Sequence, residues 1–163
     1  MLDDHRFLAL AIAEAESGAA EGGVPIGAAL VSDDGVVLGS GHNRRMQDGS
    51  VIRHGETDAL ERAGRQHASV YAGSTMYTTL SPCSMCSGAI LLYGIPRVVI
   101  GENSTFMGEE DLLRSRGVEV VVLESPRCKE LMDAFIAEHP DVWNEDIGEP
   151  GDDTPPPSEQ ADS

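Results

Sequence analysis

Apolar residues recur at helical spacing through the first twenty positions, with Phe7, Leu10, Ala11 and Ala15 on one side. Asp3 or Asp4 is placed to cap the helix they predict, and glycines at 18, 22 and 23 close it near Ala20. The next apolar run, Ile26 to Val31, is short and continuous, as a buried strand would be. Ser32-Asp33-Asp34-Gly35 follows it, and Val36 to Ser40 returns, so the Asp-Gly turn predicts an antiparallel hairpin. Gly41 to Arg53 is polar and reads as a loop. It leads into a helix from His54 to about Arg65 whose apolar face is Ala59, Leu60 and Ala63.

In the second half, Thr75 to Thr79 is a strand, Cys83 to Tyr93 a helix, and Arg97 to Gly101 a strand after Gly94-Ile95-Pro96. Strand, helix and strand within about 30 residues form a βαβ unit, whose right-handed crossover makes that part of the sheet parallel. A short helix over Leu112 to Arg116 comes next, then an apolar strand over Val118 to Leu123. A helix over Pro126 to Glu138 carries its proline in the first turn, and one or two helical turns span Pro140 to Ile147. The sum is an α/β fold, a three-layer α/β/α sandwich around a five-stranded mixed sheet. Residues 1–148 read as one domain, and 149–163, without a large apolar residue, as a disordered acidic tail.

Charge narrows the partners. The chain has 11 basic and 28 acidic side chains, a formal net charge of −17, and five of those acids lie in Glu149 to Ser163. So acidic a surface repels phosphate backbones and argues against a nucleic-acid partner, while a small uncharged substrate suits it. No stretch approaches the roughly 20 apolar residues of a membrane span. The opening Met1-Leu2-Asp3-Asp4-His5-Arg6 is not built like a secretory leader, so a soluble, cytoplasmic protein is expected. Three cysteines, two of them close together, make a poor disulfide framework and suit a reducing compartment.

The chemistry is concentrated in two segments. Ser81-Pro82-Cys83-Ser84-Met85-Cys86 sets two thiolates three residues apart at the start of a helix, on one face and spaced for a single metal ion. His54-Gly55-Glu56 adds a neutral imidazole and, two residues on, a carboxylate free for proton transfer. Both segments fall at predicted helix N-termini, where the helix dipole favours the thiolate form. Zn²⁺ held by two thiolates and one imidazole keeps a fourth position for water, whose pKa it draws towards ~7. On the cysteines alone a redox pair or half of a structural zinc site is the competing reading. A structural site needs a fourth ligand, and Cys128, with no partner at ligand spacing, reads instead as a small buried hydrophobe. His5, His42, His67 and His139 likewise have no spacing partners and read as surface or capping residues. The order H-x-E then P-C-x-x-C is the signature of zinc-dependent nucleobase deaminases.

The likeness extends beyond that signature. Glu21-Gly22-Gly23-Val24-Pro25-Ile26-Gly27, Gly41-His42-Asn43, Tyr77-Thr78-Thr79-Leu80-Ser81-Pro82-Cys83, Tyr93-Gly94-Ile95-Pro96-Arg97 and Trp143-Asn144-Glu145-Asp146-Ile147-Gly148-Glu149 occur in order. With His54-Gly55-Glu56, Gly88-Ala89-Ile90 and Gly101-Glu102-Asn103, they closely resemble yeast-type cytosine deaminases. The resemblance implies a cytidine deaminase-like fold and a homodimeric enzyme of pyrimidine salvage that hydrolyses free cytosine to uracil and ammonia. By it, His54, Cys83 and Cys86 hold one zinc per chain and Glu56 shuttles protons. Asn43 hydrogen-bonds the pyrimidine edge, Ile26, Phe106 and Trp143 wall the ring, and Asp146 closes the pocket. Ser81 and the Gly55 backbone complete the polar contacts. The loop after Phe106 is slightly shorter than the family pattern, Arg53 precedes the ligand histidine, and the acidic tail is extra. Two alternatives compete: a deaminase of another aminated heterocycle (a purine base, creatinine or a triazine), and a non-catalytic zinc-stabilised module.

Overall fold

A computed structural model describes residues 2–150. Asp3 caps α1 (Asp4–Ala20) by accepting from the Arg6 N–H at 3.2 Å. Phe7, Leu8, Ala11, Ala15 and Gly18 form its buried face, and Leu10, expected there, is 39% exposed. The hairpin is present as β1 (Gly27–Ser32) and β2 (Val37–His42), with Gly35 at φ +84° in the turn. Only glycine takes that backbone conformation without strain.

The short helix α2 (Arg45–Asp48) interrupts the segment read as a loop, and a second, α4 (Ala68–Ala72), follows α3 (Gly55–Ala63) where no element is predicted. Then follow β3 (Ser74–Leu80), α5 (Ser84–Leu92), β4 (Arg97–Glu102) and α6 (Glu110–Ser115). The described chain ends with β5 (Glu119–Val122), α7 (Pro126–Glu138) and α8 (Pro140–Asp146). Of the tail expected over 149–163, residues 151–163 lie outside the described set. Among the described residues no helix is long and apolar enough to cross a membrane.

The sheet order is β2-β1-β3-β4-β5. β1 pairs antiparallel with both β2 and β3, whereas β3, β4 and β5 run parallel, so the sheet is mixed as predicted. Alternation along the strands sends side chains to two separate cores. Ala28, Leu30, Met76, Val98 and Ile100 pack with Ala59 and Ala63 of α3, Ile90 of α5 and Leu113 of α6. Ala29, Val31, Tyr77 and Val99 face the other way, onto Phe7, Leu8 and Ala11 of α1. This is a three-layer α/β/α sandwich. A Cβ at Gly27 would lie 2.1 Å from the Ala11 carbonyl, and one at Gly39 would lie 2.5 Å from the Ala59 carbonyl. Bare backbone at these two points lets α1 and α3 press directly on the hairpin.

A third apolar cluster sits beyond the end of β3: Val24, Ile26 and Leu80 against Met132 and Phe135 of α7 and Trp143 of α8. It fastens the C-terminal helices over one end of the sheet. His42, read as a surface or capping residue, is instead 4% exposed, with Nδ1 2.7 Å from Glu14 and Nε2 against Glu21. Helix α1 folds back beside β2 and covers it, a tertiary effect that spacing in the sequence cannot register.

Candidate active site

The site forms where α3 and α5 both begin at the rim of the sheet. His54 is the N-cap residue of α3 and Cys83 that of α5, and Cys86 follows one turn inside α5. The His54 N–H donates to Thr57 Oγ1 at 2.9 Å, which fixes the entry into α3 and the direction of the imidazole. His54 Nδ1 lies 3.5 Å from Cys83 Sγ and 3.7 Å from Cys86 Sγ. All three ligand atoms fall within 4.8 Å of one another. Tetrahedral zinc with ordinary Zn–S and Zn–N bonds requires N···S separations of about 3.6 Å. The donor set therefore fits zinc in kind and in spacing.

The second ring nitrogen has its own partner: His54 Nε2 lies 3.1 Å from Asp146 Oδ1. A carboxylate on the far nitrogen fixes the tautomer that offers Nδ1 to a metal. Asp146 Oδ2 accepts from Asn43 Nδ2 at 2.9 Å, and the Asp146 side chain is only 2% exposed. Burial would lower the His54 pKa, but its bonds to Asp146 and Cys83 outweigh that and raise it to about 10. The Cys86 thiol bonded to Cys83, then His54, pull Cys83 down to about 4, while the same Cys83 contact and burial hold Cys86 well above the ordinary thiol range. Metal binding thus displaces protons from the cluster, which makes affinity fall in acid.

Glu56 is 3% exposed, and burial pushes its pKa above the ordinary carboxylate value. One of its oxygens, Oε1, accepts from Thr78 Oγ1 at 2.5 Å. Metal cluster and carboxylate open together into a hollow of roughly 290 Å³, counting its solvent-open mouth. Ile26, Phe106, Trp143 and Asp146 line it with Ser81, His54, Glu56 and Cys83. Phe106 and Trp143 meet edge to face, ring centroids 5.9 Å apart.

Two expected contact residues stand back from the hollow. Asn43 is fully buried and reaches it through Asp146, and Gly55 starts α3 behind the metal ligands. Ser81 lines the hollow, but its hydroxyl donates to Glu110 at 2.6 Å and accepts from the Gly108 N–H at 2.9 Å. Its hydroxyl proton is therefore committed to Glu110. Sequence reading missed Leu80 and Ile147, which also line the hollow. Thr78 was missed too. Its signal is a hydroxyl in the alternation Met76, Thr78, Leu80, on the strand face turned towards α3.

Three side chains spaced to hold zinc beside a buried carboxylate, on a mixed α/β/α sheet, match the arrangement of a zinc-dependent deaminase. Residues 1–102 match the cytidine and deoxycytidylate deaminase zinc-binding region, and the chain belongs to that family. A cytosine deaminase from Candida albicans is 56% identical over 147 residues, which cover 90% of this chain and 98% of that protein. A tRNA-specific adenosine deaminase from Streptococcus pyogenes is 36% identical over 108 residues, 66% of this chain and 67% of the relative. Among solved structures, one from a study of tRNA:A34 deaminases superposes with a TM-score of 0.65 at 28% identity, covering 78% of this chain and 99% of its own. A guanine deaminase from Nitrosomonas europaea shares the fold, with a TM-score of 0.70 at 20% identity over 84% of this chain and 86% of its own.

Proposed function

We propose that this enzyme hydrolyses free cytosine to uracil and ammonia, as a cytoplasmic homodimer serving pyrimidine salvage, with residues 1–148 as its working unit. The observation that carries the reading is α8 lying across the metal cluster, with Trp143 and the carboxylate of Asp146 closing the hollow. Each Asp146 oxygen has one lone pair engaged, by His54 or by Asn43, and a second left to accept from a substrate N–H. Free cytosine has that donor at N1, whereas in cytidine N1 bears the sugar. The site thus favours the base by a charge-assisted hydrogen bond and by leaving no room for a ribose under Trp143. The 56% identity to a cytosine deaminase supports the same substrate.

His54, Cys83 and Cys86 would hold the zinc. Bound there, the metal supplies a Lewis acid that lowers the pKa of water towards ~7. Phe106 and Trp143 hold the ring and exclude bulk water. Glu56 takes a proton from the attacking water and delivers it to N3 as the water oxygen adds to C4. It then carries the second proton to the exocyclic amine, the C4–N4 bond breaks, and ammonia leaves. Thr78 anchors one Glu56 oxygen, which leaves the other free to move protons. Dimerisation is supported by Leu92, 75% exposed at the end of α5, and Tyr93, 44% exposed beside it.

The test is ammonia release from cytosine, cytidine, adenine, guanine, creatinine and an aminotriazine. Cytosine is expected to have the highest kcat/KM and cytidine none measurable. A higher kcat/KM for any other member of the panel overturns the reading.

A further inference from the structure

Arg45 lines no part of the hollow, yet it touches both polar groups that shape it. Its backbone N–H donates to Asn43 Oδ1 at 3.0 Å, which orients the amide so that Nδ2 faces Asp146. Its side chain, 7% exposed, grips Glu145 with two bonds of 2.6 and 2.5 Å and donates from Nε to the Val51 carbonyl at 3.1 Å. Nη1 also lies 3.7 Å from Asp146 Oδ2. A two-pronged arginine–carboxylate pair fixes direction as well as distance, so it sets the rotation of α8 about its own axis. α8 is also held by the apolar seat of Trp143, Val142 and Ile147 and by the bonds of Asp146 to His54 and Asn43, and the Arg45–Glu145 pair adds a directional hold from outside the hollow.

We infer that Arg45 is a positioning residue, a latch that holds α8 shut through Glu145 and keeps the Asp146 carboxylate aimed between His54 and Asn43. The inference rests on the cytosine reading for its kinetic consequence and on the geometry alone for its mechanical one. A substrate that binds only the closed form sees its apparent Kd divided by the closed fraction, so its apparent affinity falls. Loosening the latch therefore raises KM and leaves kcat, which belongs to Glu56 and the metal cluster, nearly unchanged. A defect of folding does the reverse: it lowers the active fraction and kcat, with KM intact.

The experiment compares zinc-loaded wild type with Arg45→Met, Arg45→Lys, Glu145→Gln and the Arg45→Met/Glu145→Gln double variant. Cytosine kinetics, zinc content and backbone amide exchange over residues 140–147 are read for each. Arg45→Met is expected to raise KM about tenfold with kcat within about twofold, to speed exchange in 140–147 about tenfold, and to keep its zinc. Arg45→Lys should recover part of the KM effect, and the double variant should be no worse than either single one, because both break the same pair. Unchanged exchange in 140–147 in both Arg45→Met and Glu145→Gln overturns the latch. So does additivity of the two substitutions, or a fall in kcat at constant KM. If wild type fails to deaminate cytosine, the substrate reading falls and the exchange arm still decides the latch. If Arg45→Met does not fold, Glu145→Gln, altered at a half-exposed carboxylate, decides it.

Discussion

Replacing Thr78 by valine keeps the shape of the side chain and removes only its hydroxyl. Thr78 is fully buried, Glu56 nearly so, and the hydroxyl lies 2.5 Å from Glu56 Oε1 and 3.0 Å from the Leu80 carbonyl. A hydroxyl has one proton, so Thr78 donates to Glu56 when the carboxylate is ionised and turns to Leu80 when Glu56 itself carries a proton. Both states of the proposed proton carrier are thereby accommodated. A buried hydrogen bond to a charged group contributes about 1.5–3 kcal/mol. Its loss penalises the ionised form, so the Glu56 pKa, already raised by burial, rises further. At neutral pH kcat/KM for cytosine should fall about 10- to 100-fold. The acid limb of the pH–rate profile should move to higher pH, so the deficit shrinks as the medium becomes more alkaline. Thr78→Ser, which keeps the hydroxyl, should stay near wild type. The assay is steady-state uracil formation across pH with zinc content checked for each variant. Activity of Thr78→Val within twofold of wild type at every pH, or an unmoved acid limb, would refute the reasoning.

Cys83→Ser and Cys86→Ser should each lose both metal and activity, read by metal analysis beside turnover; an active, metal-free preparation of either would contradict the ligand set. Asp58 is fully buried, and although burial alone would raise its pKa, bonds from Arg44, the His42 N–H and Arg62 hold it below the ordinary 3.8. Asp4 is likewise depressed, chiefly by Arg97. Depressed carboxylates add stability that is present above pH 3.8 and lost as the pH falls through their folded values, so thermal midpoints should drop steeply in acid. Asp58→Asn should cost about 1.5–3 kcal/mol at neutral pH and flatten that acid dependence in thermal melts. Leu92→Glu should turn a dimer into a monomer by light scattering at micromolar concentration, and a monomeric wild type would sink the proposed assembly.

Most of the fold is legible in local pattern because its elements are long or sharply bounded. The hairpin is announced by Asp34-Gly35, α7 by Pro126 in its first turn, and the βαβ unit by the spacing of its strands. α2 and α4 escaped because four or five residues carry no helical period, and α4 buries none of its side chains. Leu10 shows a limit of spacing: Leu8 takes the inward place, and the two are hard to tell apart until the sheet supplies the direction. The meeting of His54, Cys83 and Cys86 beside Glu56 was readable because both segments are short and local. The link from Asp146 to His54 and the grip of Arg45 on Glu145 cross about a hundred positions of chain, and the engagement of the Ser81 hydroxyl by Glu110 depends on a loop's path. No periodicity encodes such pairings.

The most direct test of the account is cytosine turnover by Glu56→Gln beside wild type, both with measured zinc content. Wild type should form uracil and ammonia in equal amounts. Glu56→Gln should keep about one zinc per chain and an unchanged melting profile yet lose at least about 10³-fold in kcat, since one residue carries both proton transfers. A zinc-loaded Glu56→Gln within tenfold of wild type would contradict the account.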